Sequence, residues 1–513
     1  MTESPNPEPT GAPPPPPEAS PPRADRAVEA GRGALFIGVA KVFFMLSAFV
    51  QKVLLLRIVG PAEFGIFSVV NAAVSVVNNA TVQGTIQSVS KFTAEKDEQA
   101  EAVKRAGLRL QLLVGGALGI GFFLAAPLIA AKYNDPGFAR WIRLVAPIPF
   151  LYSLYAVFVG SANGQRRFRL QASFDIGYSS IKTLLLLGGA ALFGVGGAIG
   201  GFVGAAIAIL VVAAVVMGLP KPGAESFPMR RLVSFMGGIV AYTFLINLSL
   251  QYDLLLFRWF VAQVTEAKEA NALAGFYETA RNFALLPNSA LLVITFVIFP
   301  LVSRSTFQED QAATRAYVTQ TLRYALILAV AMAAVLWARP RGLLELVYGE
   351  AGAGGAAALP ILVVGVVALS LLGIASAMIN ASGRPRVTIA LVSSTLIVGT
   401  ACAFALVPRQ SPGPAMLRAA ALAAAIGMAT GFGGALFYLR ARFAANPPLA
   451  TVLRVAGAAA LAVGVGRAVP GTGALSTLGA LALAGIVYLM VLVLAREFGP
   501  ADRDKFRKIL SRR

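Results

Sequence analysis

The chain has 513 residues, 57% of them hydrophobic and 13% charged, with a mean hydropathy of +0.72. A soluble globular protein carries roughly a quarter charged residues, so this composition excludes a string of soluble domains. The net charge of +20 would point to nucleic acid in a soluble protein. Here the basic residues lie between apolar blocks, which assigns them to topology and anionic lipid headgroups and leaves no nucleic-acid partner.

One cysteine, Cys402, and no histidine exclude disulfides, thiolate–histidine metal sites, Ser-His-Asp triads and histidine relays. No metal or other cofactor is expected. Residues 1–22 hold ten prolines and no apolar stretch, so residues 1–32 read as a disordered, solvated cytoplasmic tail rather than a signal peptide.

From residue 33 onward, apolar blocks of about twenty residues recur, the length that crosses roughly 30 Å of hydrocarbon. They lack the alternation of barrel strands, so they are helices. Spans are predicted to begin near residues 33, 64, 107, 141, 171, 196, 232, 272, 317, 357, 388, 415, 449 and 474. With the N-terminus inside, this all-α polytopic plan of about 14 transmembrane helices puts 25 Lys and Arg in cytoplasmic loops and tails and 6 outside. That is the positive-inside bias of a chain with both ends cytoplasmic. Losing one middle helix would invert every later loop and destroy it.

Two motifs recur six helices apart. Leu54-Leu55-Leu56-Arg57 matches Leu254-Leu255-Leu256-Phe257-Arg258, each followed by a Gly/Phe-led helix at Phe64-Gly65 and Gly275-Phe276. Ser161-Ala162-Asn163-Gly164 then matches Asn380-Ala381-Ser382-Gly383. The chain is therefore expected to form two six-helix halves, 33–218 and 232–440, joined by a cytoplasmic linker at 219–231. Two extra helices in 449–496 and a basic cytoplasmic tail at 497–513 complete it. Parallel repeats of this kind place a substrate site between the halves and work by rocking.

A charge at mid-bilayer costs about 2.5–3.5 kcal/mol on insertion scales, so each one is a functional-site candidate. Lys41 and Lys52 are three turns plus about 20° apart on the first span and share a face; the alternative is that they snorkel to opposite interfaces. Asn71, Asn78 and Thr85, with Ser75, Asn79, Gln83 and Gln87, give the second span a broad polar face that a water-filled cavity satisfies. Lys182 shares a face of the fifth span with Asp175. Thr243, Asn247, Gln251 and Arg258 form a stripe on the seventh. Glu278 and Arg281 lie one turn apart on the eighth, where the alternative is mutual neutralisation. The expected cavity residues are thus Lys41, Lys52, Asn78, Lys182, Asn247, Gln251, Arg258 and Arg281, and the candidate ion-coupling residues are Asp253 and Glu278. Basic groups outnumber acidic ones, which favours an anionic substrate.

With Gly60-Pro61-Ala62-Glu63-Phe64-Gly65-Ile66-Phe67, Gly275-Phe276-Tyr277-Glu278-Thr279-Ala280-Arg281-Asn282, Phe299-Pro300-Leu301-Val302-Ser303 and Tyr348-Gly349-Glu350, the chain resembles the Wzx-type polysaccharide flippases. These belong to the multidrug/oligosaccharidyl-lipid/polysaccharide exporter superfamily. The resemblance covers residues 33–440 strongly and the last two helices weakly. It implies a MATE/MurJ-like bundle in the bacterial inner membrane, serving lipopolysaccharide or exopolysaccharide synthesis. The cargo it implies is an undecaprenyl-pyrophosphate-linked oligosaccharide moved from inner to outer leaflet, with membrane lipids and a polysaccharide polymerase as partners. Three readings compete: a peptidoglycan lipid-precursor flippase, a MATE-type drug/cation antiporter, which needs acidic groups, and a membrane-embedded glycosyltransferase, which needs paired carboxylates on outside loops. No ATP-binding G-x-x-x-x-G-K-[ST] motif occurs, and no enzymatic activity is expected.

Overall fold

The computed structural model describes residues 23–221, 226–291, 311–499 and 502. All regular elements among the described residues are helical, and eleven helices are long and apolar enough to cross a membrane. Two are about twice the needed length. The candidate membrane stretch of α1 (Arg23–Glu95) runs 58 residues, Gly38–Glu95, and α5 (Phe168–Met217) runs 50. A straight 58-residue helix would be about 87 Å long, so each must break.

The breaks are visible in the backbone. Gly60 in α1 has φ 77° and ψ 173°, a conformation open essentially to glycine alone, and Pro61 follows it. In α5 Phe193 and Gly194 leave the helical region, Gly194 with φ 60°. Glu63 fastens the two breaks together, its Oε2 accepting from the Val195 backbone N–H at 2.7 Å. Residues on both sides of Gly60 line one cavity, from Lys41 to Leu55 and from Phe67 to Ile86, so the chain doubles back there. The Gly60-Pro61 signal lies where the sequence places the first loop. At the front end, helix begins at Arg23, ten residues before the expected start; the run Arg23–Ala34 is rich in Ala and Arg, which favour helix.

Further on come α2 (Ala100–Lys132), the short α3 (Phe138–Val145), α4 (Ile148–Gly164), α6 (Met229–Ser249), α7 (Tyr252–Ala262) and α8 (Ala267–Ala284). The expected seventh span is α6 and α7, interrupted at Leu250 and Gln251. The expected eighth begins as α8; its continuation at 292–310, including Phe299-Pro300-Leu301-Val302-Ser303, lies outside the described residues. The rest are α9 (Gln311–Ala338), α10 (Pro340–Tyr348), α11 (Leu359–Ala381), α12 (Pro385–Leu406), α13 (Pro414–Phe443), α14 (Leu449–Ala468) and α15 (Ala474–Leu494). Eleven qualifying helices, two of them doubled back, stand where fourteen spans were expected.

Glycines set the closest helix contacts. A Cβ on Gly65 would sit 1.8 Å from the Asn271 carbonyl oxygen, and one on Gly275 would sit 2.2 Å from the Pro61 oxygen. The second limb of α1 and α8 therefore touch backbone to backbone. At the other end of that limb, Phe92 packs on Phe227 and Phe235 at 5.2 and 5.7 Å, and Arg231 pairs with Glu95 at 2.9 Å. The trailing pair, α14 and α15, packs on α9, where the buried Tyr488 hydroxyl donates to the Ile327 carbonyl at 2.9 Å.

Candidate functional site

A cavity of about 460 Å³ opens beside the doubled α1. Its first wall is polar: Asn71, Ser75, Asn78, Asn79 and Gln83 fall on one face of the second limb, at helical spacing. The opposite wall is aromatic and cationic, made by Tyr152 and Tyr155 of α4, Tyr178 and Lys182 of α5, and Phe202 beyond the α5 break. Lys41, Gln51 and Lys52 enter from the first limb of α1, Asp175 from α5 and Asn247 from α6. Asn79 Nδ2 donates to Asn247 Oδ1 at 2.9 Å and ties the second limb to α6.

The three lysines differ in their partners. Lys41 Nζ lies 2.9 Å from Asp175 Oδ2. Lys52 Nζ donates to Glu278 Oε1 at 2.7 Å and to Asn282 Oδ1 at 2.6 Å. Lys182 has no carboxylate within ion-pair distance among the described residues. Its Nζ lies 4.2 Å from the centre of the Phe202 ring, a cation–π contact, and the Lys52 charge is near enough to repel it. Asn78 Oδ1 and the Tyr155 hydroxyl have no hydrogen-bond partner among the described residues.

The structure brings Lys41, Lys52, Asn78, Lys182 and Asn247 together on this cavity and places Gln251, Arg258 and Arg281 elsewhere. Arg258 is fully buried, donating through Nε to Asn271 Oδ1 at 2.9 Å, through Nη1 to the Tyr133 carbonyl at 3.3 Å and through Nη2 to Asp135 Oδ2 at 3.4 Å. Arg281 donates through Nη1 to Glu278 Oε2 and through Nη2 to Gln251 Oε1, both at 2.9 Å, and its Nε lies 3.2 Å from Asp253 Oδ1. The Tyr277 hydroxyl donates to Asp253 Oδ2 at 3.3 Å. Asp253 and Glu278 thus share a charge-balanced network with Arg281 and Lys52. Burying a charge demands such a partner, which is why these two arginines are committed to carboxylates.

The aromatic wall escaped the sequence reading. Tyr152 and Tyr155 stand one turn apart in α4, but a pair of tyrosines in an apolar helix reads as packing until Tyr178 and Phe202 are seen beside them. Asp135 and Asn271, the partners of Arg258, sit 123 and 13 residues from it and leave no local pattern.

A model of the polysaccharide biosynthesis protein family matches residues 30–306, more than half of the chain. No curated protein matches. Solved transporters share the fold. The lipid II flippase MurJ in an inward closed conformation superposes with a TM-score of 0.73 at 14% identity, over 90% of this chain and 99% of that one. An inward-facing multidrug resistance MATE family transporter gives 0.65 at 16% identity, over 78% and 94%. A transporter of the MOP superfamily (the multidrug/oligosaccharidyl-lipid/polysaccharide exporters) from Pyrococcus furiosus Vc1, described by a binding pocket of reverse polarity, gives 0.57 at 15%, over 81% and 95%.

Proposed function

We propose that this chain, which belongs to the polysaccharide biosynthesis protein family, is a multi-pass membrane flippase that carries an anionic, lipid-linked oligosaccharide outward across the bacterial inner membrane. The observation that carries the reading is Lys182, an unneutralised ammonium on a cavity with amides on one wall and tyrosines on the other. An isolated cation kept from carboxylates is a site for a phosphate or pyrophosphate oxygen. Amides and phenols with open hydrogen-bonding capacity suit the hydroxyls of a sugar. The lipid tail stays in the bilayer.

The proposed machine has two six-helix halves, 33–218 and 232–440, with the 219–231 linker and both tails cytoplasmic and the 449–496 pair appended. The mutual contact of Gly65 and Gly275, which hold matching positions in the repeated motifs, supports that division. An anion of about two charges moving out of an inside-negative compartment runs with the potential and gains roughly 2.3 kcal/mol per charge per 100 mV, so the membrane potential alone can drive the step. Coupling through Asp253 or Glu278 requires a cation to displace Arg281 or Lys52 first, which favours the potential-driven route. A polysaccharide polymerase is the proposed recipient of the product.

Reconstitution tests this. Vesicles containing the protein expose a fluorescent undecaprenyl-pyrophosphate oligosaccharide to the opposite leaflet, and Lys182→Gln slows that exposure about tenfold. Equal rates in Lys182→Gln and wild type sink the proposal. Lipid II, the cargo in the MurJ structure's description, is the runner-up substrate in the same assay.

A further inference from the structure

The short helix α3 lies at the end of the bundle where α2 turns back. Phe138, Ile142 and Val145 are buried, while Arg140 and Arg143, one turn apart, are exposed. The Arg140 guanidinium lies 4.0 Å from the centre of the Trp141 ring and that of Arg143 lies 5.4 Å from Phe123. Neither has an ion pair or hydrogen-bond acceptor among the described residues, so two like charges repel across one helical turn. The nearby acids are engaged: Asp135 accepts from Arg258 and Asn271, and Glu63 from the Val195 backbone.

Two apolar grooves meet at Arg143. One, of about 520 Å³, runs between α2 and α4 over Gly116, Gly119, Ile120, Phe123 and Phe150. The other, of about 590 Å³, runs over Trp141, Leu144, Phe193 and Gly196, beside the α5 break. Two grooves diverging from a pair of uncompensated guanidiniums match two acyl chains diverging from one phosphate. We infer that α3 and its flanking grooves form a binding site for an anionic phospholipid, with the phosphate bridged by Arg140 and Arg143 and one chain in each groove. Arginine suits the role because its planar fork donates two parallel bonds to phosphate oxygens.

Native mass spectrometry of the full-length protein, titrated with dioleoylphosphatidylglycerol or dioleoylphosphatidylcholine, tests the site. Wild type should retain one phosphatidylglycerol about tenfold more tightly than phosphatidylcholine, and the double variant Arg140→Gln/Arg143→Gln should erase that preference. Gly116→Leu keeps the charges and fills the first groove, since a Cβ there meets only Phe150, at 4.0 Å. It should weaken retention of both lipids. A phosphatidylglycerol preference that survives the double arginine change overturns the inference, as does an equal loss in the control Arg409→Gln/Arg467→Gln. So does unchanged retention in Gly116→Leu, which also decides the matter if the arginine variant fails to fold.

Discussion

At the residue scale, the three cavity lysines divide by their neighbours. Lys41 and Lys52 each hold a carboxylate, and Lys182 faces an aromatic ring. Replacing Lys41 and Asp175 together, as Lys41→Gln/Asp175→Asn, removes a neutral pair and should leave the initial transport rate within about twofold of wild type. Lys182→Arg keeps the charge and should retain most of the activity that Lys182→Gln loses; flipping rates in matched vesicles check both. Gly65 offers a packing test. Gly65→Ala forces a methyl against the Asn271 carbonyl, overpacking that costs about 1–3 kcal/mol, read as a lower thermal midpoint in detergent. The lysines were legible in sequence because charge is expensive in lipid. Their partners were not: the residues that neutralise Lys41 and Lys52 come from helices far along the chain, and no spacing rule connects them.

At the element scale, the attachment of the trailing helices is electrostatic as well as apolar. Glu497, just past α15, accepts from Arg323 Nε at 2.7 Å, Thr451 Oγ1 at 2.7 Å and Arg454 Nη1 at 3.0 Å. Asp502 accepts from Arg323 Nη2 at 3.1 Å and from the Tyr324 hydroxyl. Burial pushes the Glu497 carboxyl up, but the hydrogen bonds from Arg323, Thr451 and Arg454 outweigh it and leave it below its ordinary value. A carboxylate lowered on folding stabilises fully above its unfolded value, about 4.3 for Glu. That contribution is lost as pH falls through the lower folded value. Thermal unfolding should therefore show a midpoint that is level around neutral pH and drops below about pH 4. Glu497→Gln should lower the neutral midpoint, because it removes the charge that Arg323 and Arg454 bond, and should weaken the acid decline. Apolar runs revealed α14 and α15 as helices, but Arg323 and Glu497 lie 174 residues apart and their bond could not be read. Both breaks were legible: Gly60-Pro61 is a turn signal in any sequence, and the Gly194 break falls just before the span expected to begin near residue 196.

At the scale of the whole molecule, charge bias and hydropathy sufficed for a polytopic helical bundle, because the bilayer permits few alternatives. Orientation has a direct test. In a Cys402→Ser background, a cysteine at Gly137 should react with an impermeant maleimide added outside intact cells, and one at Glu98 should react only after lysis. The reverse pattern would place the N-terminus outside. The layout of the cavity was less legible, because it depends on which faces of distant helices meet. The contact of Gly65 with α8 has a mechanical consequence. From there the second limb of α1 reaches Glu95, about 45 Å away at 1.5 Å per residue, where the Arg231–Glu95 pair sits. If the backbone touch is a fulcrum, a swing of about 10° would carry Glu95 through about 8 Å while Gly65 barely moves. The limb is then a lever with a very unequal pair of arms. Small rearrangements of the Lys52–Glu278 network near the pivot are geared up into wide travel at the far end, and a side chain added at the fulcrum would jam the linkage without touching the cargo.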